Sequence, residues 1–145
     1  MLYEELIFRG VLLYILIKRL GVTKAILISA IAFGAYHWFS FNLLGSWLAM
    51  IYVFIITGIM GLILAYAYAK TLSMYIAIGF HLGWNFVNGF VFSRGPIGNG
   101  VFIVTKKQST SVISYLTYFT VTMVPILLAF FMSFLLLRKW KQVNK

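Results

Sequence analysis

Acid–base groups are so scarce in this sequence that any proton chemistry has to run through very few side chains. Of 145 residues only two are acidic, Glu4 and Glu5, and only two are histidine, His37 and His81. All four fall in long apolar runs. An ionised carboxylate near mid-membrane costs on the order of 3 kcal/mol, so such a residue faces a protein interior or a polar partner. Glu5 and Arg9 stand four apart with the acid N-terminal, the favourable order for a helical ion pair. Glu4 points about 100° away from Glu5 around the helix, on the face of Phe8, so that pairing leaves it unexplained.

Two further helical faces carry polar groups. Phe33 and His37 are one turn apart, with Ala30 and Gly34 close to the same face, where small residues let a neighbouring backbone approach. His81 and Asn85 share another face, and Gly79 and Gly83 form a small-xxx-small pair nearly opposite, which reads as a tightly packed side. Either histidine alone reads as an interhelical hydrogen bond; two histidines, an asparagine and a glutamate together read as a site.

The absences narrow the chemistry. There is no cysteine, which removes thiolate nucleophiles, disulfides and cysteine-bound zinc. There is no aspartate for an aspartyl mechanism, no HExxH zinc motif, and no GxSG loop around Gly45 and Ser46. Water remains as the nucleophile. A glutamate in a dry cavity can take its proton, histidine can orient it, and asparagine with histidine can stabilise an oxyanion, roles that fit peptide-bond hydrolysis. Glu4, His37 and His81 would also suffice as ligands of a divalent metal such as zinc with an open water position, so the sequence leaves both routes open.

The elements that must position these groups are membrane helices. Hydrophobic residues make up 63% of the chain and charged residues 10%, with a mean hydropathy of +0.99. Such a composition is suited to lipid. The apolar runs predict helices at roughly 2–19, 22–41, 47–69, 72–92 and 113–137. Together they form an all-α integral membrane bundle of about five transmembrane helices, read as a single core over 1–145. No regular ten-residue alternation suggests a barrel. The first run is no signal peptide, because two glutamates precede it, Arg9 interrupts it and no small-residue cleavage site follows. Pro125 is expected to kink the last helix, and the long break at 93–112 reads as a surface loop, a lid or a re-entrant segment.

The net charge of +10 sits in the breaks and the C-terminal tail, where it meets lipid headgroups; nucleic acid is not an expected partner. Eight basic residues flank one side, including Arg138, Lys139, Lys141 and Lys145, against three on the other, Arg94, Lys106 and Lys107. That distribution predicts a cytoplasmic C-terminus, with Trp140 as an interfacial anchor.

Three ordered motifs carry a family resemblance. Glu4, Glu5 and Arg9 match EExxxR, Phe33 and His37 match FxxxH, and His81 and Asn85 match HxxxN. The chain thus resembles the CPBP intramembrane proteases, which include the type II CAAX prenyl endopeptidases and bacterial relatives linked to bacteriocin immunity. The resemblance spans residues 4 to 85. It implies an all-helical membrane endopeptidase in which Glu4 is the general base and His37 positions the water. His81 with Asn85 supports the oxyanion, Glu5 and Arg9 are supporting residues, and Phe33 walls the cavity. It implies a peptide or protein substrate, including membrane-anchored ones, and a multi-pass location in a bacterial plasma membrane. Family members usually carry helices ahead of EExxxR, so a motif beginning at residue 4 reads as an N-terminally truncated form. The competing readings are a zinc-dependent version of the same peptidase, a non-catalytic bacteriocin immunity protein, and a proton or ion carrier.

Overall fold

The computed structural model describes residues 1–87, 94–95, 98–99 and 115–138. Its elements in chain order are α1 (Leu2–Arg9), α2 (Val11–Leu20), α3 (Val22–Ser40), α4 (Trp47–Thr71) and α5 (Met74–Phe86), then the two-residue strands β1 (Arg94–Gly95) and β2 (Gly98–Asn99), paired antiparallel, and α6 (Tyr115–Arg138). The residues form an all-α membrane bundle, as the apolar runs require.

The first apolar run differs from expectation: it is two helices broken at Gly10, not one over 2–19. A Cβ built on Gly10 would lie 2.2 Å from the Leu6 carbonyl oxygen, so only glycine lets the chain turn here against its own preceding turn. The break leaves α1 as a short segment packed against α3, α4 and α5, while α2 pairs with α3. Gly21 (φ 82°) turns the chain from α2 into α3.

The α3–α4 pair is the spine. A Cβ on Gly61 would meet Ala30 Cα at 3.1 Å and the Phe33 side chain at 3.2 Å, and one on Gly34 would meet the Phe54 ring at 2.9 Å. These small residues bring the two backbones together, as the sequence predicts for Ala30 and Gly34. The Trp38 indole nitrogen donates to the Met50 carbonyl at 2.9 Å and ties the ends of the pair across the intervening turn. Leu13, Ala25, Ala65 and Tyr68 close one core between α2, α3 and α4. Met60, Ile63, Leu64 and Ala77 close a second between α4 and α5. Helix α6 lies against α4, with the Tyr66 and Phe134 rings 6.0 Å apart, and runs continuously through Pro125.

One packing expectation is overturned. Among the described residues, no atom lies within 4 Å of a Cβ built on Gly79 or Gly83, so their face makes no close helix contact there. It lines an open cavity of about 500 Å³ with Met60, Ile63, Pro125 and Ser133. The pattern suited close packing, but α6 stands off there.

Apolar side chains cover the outside: Trp47 is 75% exposed and Leu48 76%. On a protein in water such a surface would be a binding or aggregation face; in a bilayer it is the lipid face. α3 and α4 are each long and apolar enough to cross a membrane, α4 comfortably so at about 1.5 Å per residue. The expected extension of the fourth helix to 92, the loop beyond the two short strands and Trp140 lie outside the described residues.

Gly10→Ala is expected to destabilise the bundle by about 1–3 kcal/mol, measured by unfolding in mixed micelles. Gly79→Ala, with open space for its methyl, is expected to be neutral or to gain up to about 1 kcal/mol from helix propensity. Equal losses from both would contradict this account of the two glycines.

Candidate active site

The charged turn of α1 is carried into the middle of the bundle. Glu5 and Arg9 are both 0% exposed, and the Arg9 Nη1 donates to Glu5 Oε1 at 3.2 Å, the ion pair expected from the spacing. Arg9 Nη2 donates to the Gly61 carbonyl at 3.1 Å, halfway along α4. Its guanidinium also stacks on the Phe33 ring, 4.2 Å from the centroid. α1 is further fixed by the Ser29 hydroxyl, which donates to the Phe8 carbonyl at 3.2 Å.

A second donor reaches the same carboxylate oxygen. His81 Nδ1 lies 2.7 Å from Glu5 Oε1, joining residues 76 apart in sequence. A carboxylate only accepts, so Nδ1 carries the proton, and Nε2 is left facing the other glutamate, whose Oε2 is 3.7 Å away. Glu5 Oε2 and Arg9 Nε are buried without a hydrogen-bond partner among the described residues. The Glu5 charge is therefore held almost wholly by Arg9 and His81 acting on one oxygen.

The two glutamates are thus divided by environment. Glu5 is enclosed and committed, whereas the Glu4 side chain is 18% exposed and lies near His81 Nε2 and the Met1 amino group, the latter at 3.6 Å. Glu4 is the carboxylate with room for water.

Phe33 is the hub of the aromatic wall. Its ring makes edge contacts with Phe8 (5.2 Å), His37 (4.6 Å) and His81 (5.9 Å). His37 is buried, and its Nδ1 pairs with the Phe33 carbonyl at 2.7 Å, which leaves Nε2 as its working nitrogen. His37 joins the cluster through Phe33 and makes no hydrogen bond to either carboxylate. Asn85, one turn beyond His81, is exposed and is not drawn into the buried cluster. The structure therefore brings Glu4, Glu5, Arg9, Phe33 and His81 into direct contact, sets His37 beside them, and leaves Asn85 at the edge.

Two participants had no sequence signal. Gly61 contributes only a carbonyl, which any residue type would offer, and Tyr36 packs between Phe8 and His37 at 5.5 Å from each ring without belonging to a motif.

The ligand set of the metal alternative is Glu4, His37 and His81. Among the described residues, no three His, Cys, Asp or Glu side chains gather closely enough to hold an ion. Nδ1 of His81 is held by Glu5 and Nδ1 of His37 by a backbone carbonyl, which leaves Nε2 of each ring as the nitrogen that would face an ion.

A helical bundle with a membrane-facing surface and a buried carboxylate–imidazole cluster defines the class: a membrane protein with an embedded acid–base site. The chain belongs to the type II CAAX prenyl endopeptidase Rce1-like family, whose model matches residues 1–87, the stretch that carries α1 to α5 and every site residue. Comparison with curated proteins and with solved structures finds no match. Family membership makes this a membrane-embedded chain of the CAAX-protease type.

Removing Arg9 alone leaves a buried carboxylate short of its main partner, so Arg9→Met is expected to destabilise by about 3–5 kcal/mol. The double variant Glu5→Gln/Arg9→Met should recover much of that loss, as read by a double-mutant cycle in unfolding. Additive losses would show that the pair is not coupled.

Proposed function

We propose that this chain is an intramembrane endopeptidase that hydrolyses a peptide bond with water activated by Glu4. One observation carries the reading: of the two adjacent carboxylates, Glu5 is locked by Arg9 and His81 while Glu4 is partly open beside His81 Nε2.

In this mechanism Glu4 accepts a proton from a water held between it and the imidazoles of His37 and His81. The water oxygen bonds to the scissile carbonyl carbon, and the carbonyl electrons move to its oxygen. His81 in its doubly protonated form, with Nδ1–H kept on Glu5, donates from Nε2–H to that oxyanion, together with the Asn85 amide moving inward on substrate binding. Collapse of the tetrahedral species breaks the C–N bond, and the proton held on Glu4 passes to the leaving amine. Glu5 and Arg9 hold the His81 ring and its tautomer, as a carboxylate behind a catalytic histidine does. Phe33 walls the cavity and excludes water from the inner side.

The substrate is a peptide or protein segment that reaches the site from the membrane. In this reading the chain is a multi-pass protein of a bacterial plasma membrane, and its basic flanks support a cytoplasmic C-terminus. A binding-only immunity role remains the alternative from another class, and the same variants separate the two.

Glu4→Gln is expected to lower peptide cleavage by the purified protein at least 100-fold while leaving insertion and folding intact. Retained cleavage would overturn the assignment of the base. A protective effect in cells that survives Glu4→Gln would favour the immunity reading. Chelation is expected to leave the rate unchanged; loss of activity restored by added zinc would overturn the metal-free mechanism.

A further inference from the structure

Charge is segregated along this bundle. The chain's only two carboxylate side chains, Glu4 and Glu5, are both engaged in the site. Lys18 and Arg19 close α2, Lys24 opens α3, and Lys70 and Arg138 close α4 and α6. α2 runs towards the end from which α3 starts. α4, antiparallel to α3 across their connecting turn, ends there too, and the contact of Tyr66 with Phe134 sets Lys70 and Arg138, each one turn further on, at that same end. No Asp or Glu side chain among these 145 residues is left to neutralise the five cations, so their counter-charge comes from outside this segment.

At the same end, a cavity of about 380 Å³ opens between the start of α3 and the finish of α4, lined by Thr23, Ile26, Leu27, Tyr66, Ala69 and Lys70. It is amphipathic. Ile26, Leu27 and Ala69 form an apolar wall, while Lys70, Thr23 and Tyr66 supply a cation and hydroxyls. The Tyr66 ring lies 5.7 Å from the Lys70 ammonium and braces it. The cavity volume falls in the roughly 300–1,000 Å³ range of pockets that hold discrete ligands.

We infer that this groove is a specific seat for one anionic phospholipid, its phosphate on Lys70 and one acyl chain against Ile26 and Leu27. Basic pockets between transmembrane helices suit anionic headgroups, and here the two carboxylates of the sequence are both engaged in the site and leave none for this end. The seat lies at the other end of the bundle from the Glu4 opening and is independent of the catalytic reading.

The test is native mass spectrometry of the full chain in detergent, titrated with phosphatidylglycerol or with phosphatidylcholine of the same acyl chains. One phosphatidylglycerol should be retained preferentially. Lys70→Gln should weaken its retention about fivefold, whereas Lys18→Gln, whose ammonium sits over Tyr14 outside the groove, should change it less than twofold. Leu27→Trp, which fills the apolar wall, should displace the lipid with the charge intact. Equal retention of the two lipids would overturn the inference. So would equal effects of Lys70→Gln and Lys18→Gln, the mark of a diffuse basic belt, or complete displacement by millimolar inorganic phosphate.

Discussion

The Glu5 carboxylate sits without solvent near the middle of a membrane bundle and can remain there only because Arg9 and His81 share one of its oxygens. Much of the rest of the site follows from satisfying that charge. Arg9 must reach it from the same helix, so α1 is a straight helix through one full turn. Arg9 must also lose its own hydration, so its second nitrogen finds the Gly61 carbonyl and its flat face finds Phe33. His81 must come from α5, which fixes where α5 packs. Once Nδ1 is committed to Glu5, its Nε2 is turned toward Glu4. A buried ion pair is weak evidence for stability; here it functions as a jig that sets the geometry of an adjoining site.

Glycine does the complementary work. The Gly10 break lets the charged turn of α1 enter the bundle while α2 continues along α3, and Gly61 lets α3 approach closely enough for Phe33 to sit beneath the guanidinium. Charge and close approach are thus coupled: a larger residue at 61 would push Phe33 away from Arg9, and the cation would lose its stacking partner.

The sequence made the helices, the Glu5–Arg9 pair and the close-approach face of Ala30 and Gly34 legible, because each follows from a period or spacing within one element; that α4 is the partner was not legible. The join between Glu5 and His81 was legible only as a cluster of rare residues, since nothing local links positions 76 apart. The break at Gly10 was missed because a lone glycine inside an apolar run is ordinarily tolerated, and only the Leu6 carbonyl shows why this one is not. Gly79 and Gly83 misled for the reverse reason: a small-xxx-small face permits close packing without requiring it. Asn85 shares the His81 face, but burial on that face reaches His81 and does not extend a turn further.

The division between a locked and a partly open glutamate can be read directly, because the chain has only two histidines. Protein labelled with ¹⁵N at histidine should give two resolvable imidazoles by NMR, one with Nδ1 protonated and hydrogen-bonded to a carboxylate. Glu5→Gln should shift the Nδ1 signal of that ring, and Glu4→Gln should shift mainly its Nε2, with the His37 ring little changed in both. Spectra in which Glu5→Gln leaves both imidazoles unmoved, or in which the carboxylate-bonded ring proves to be His37, would contradict the account.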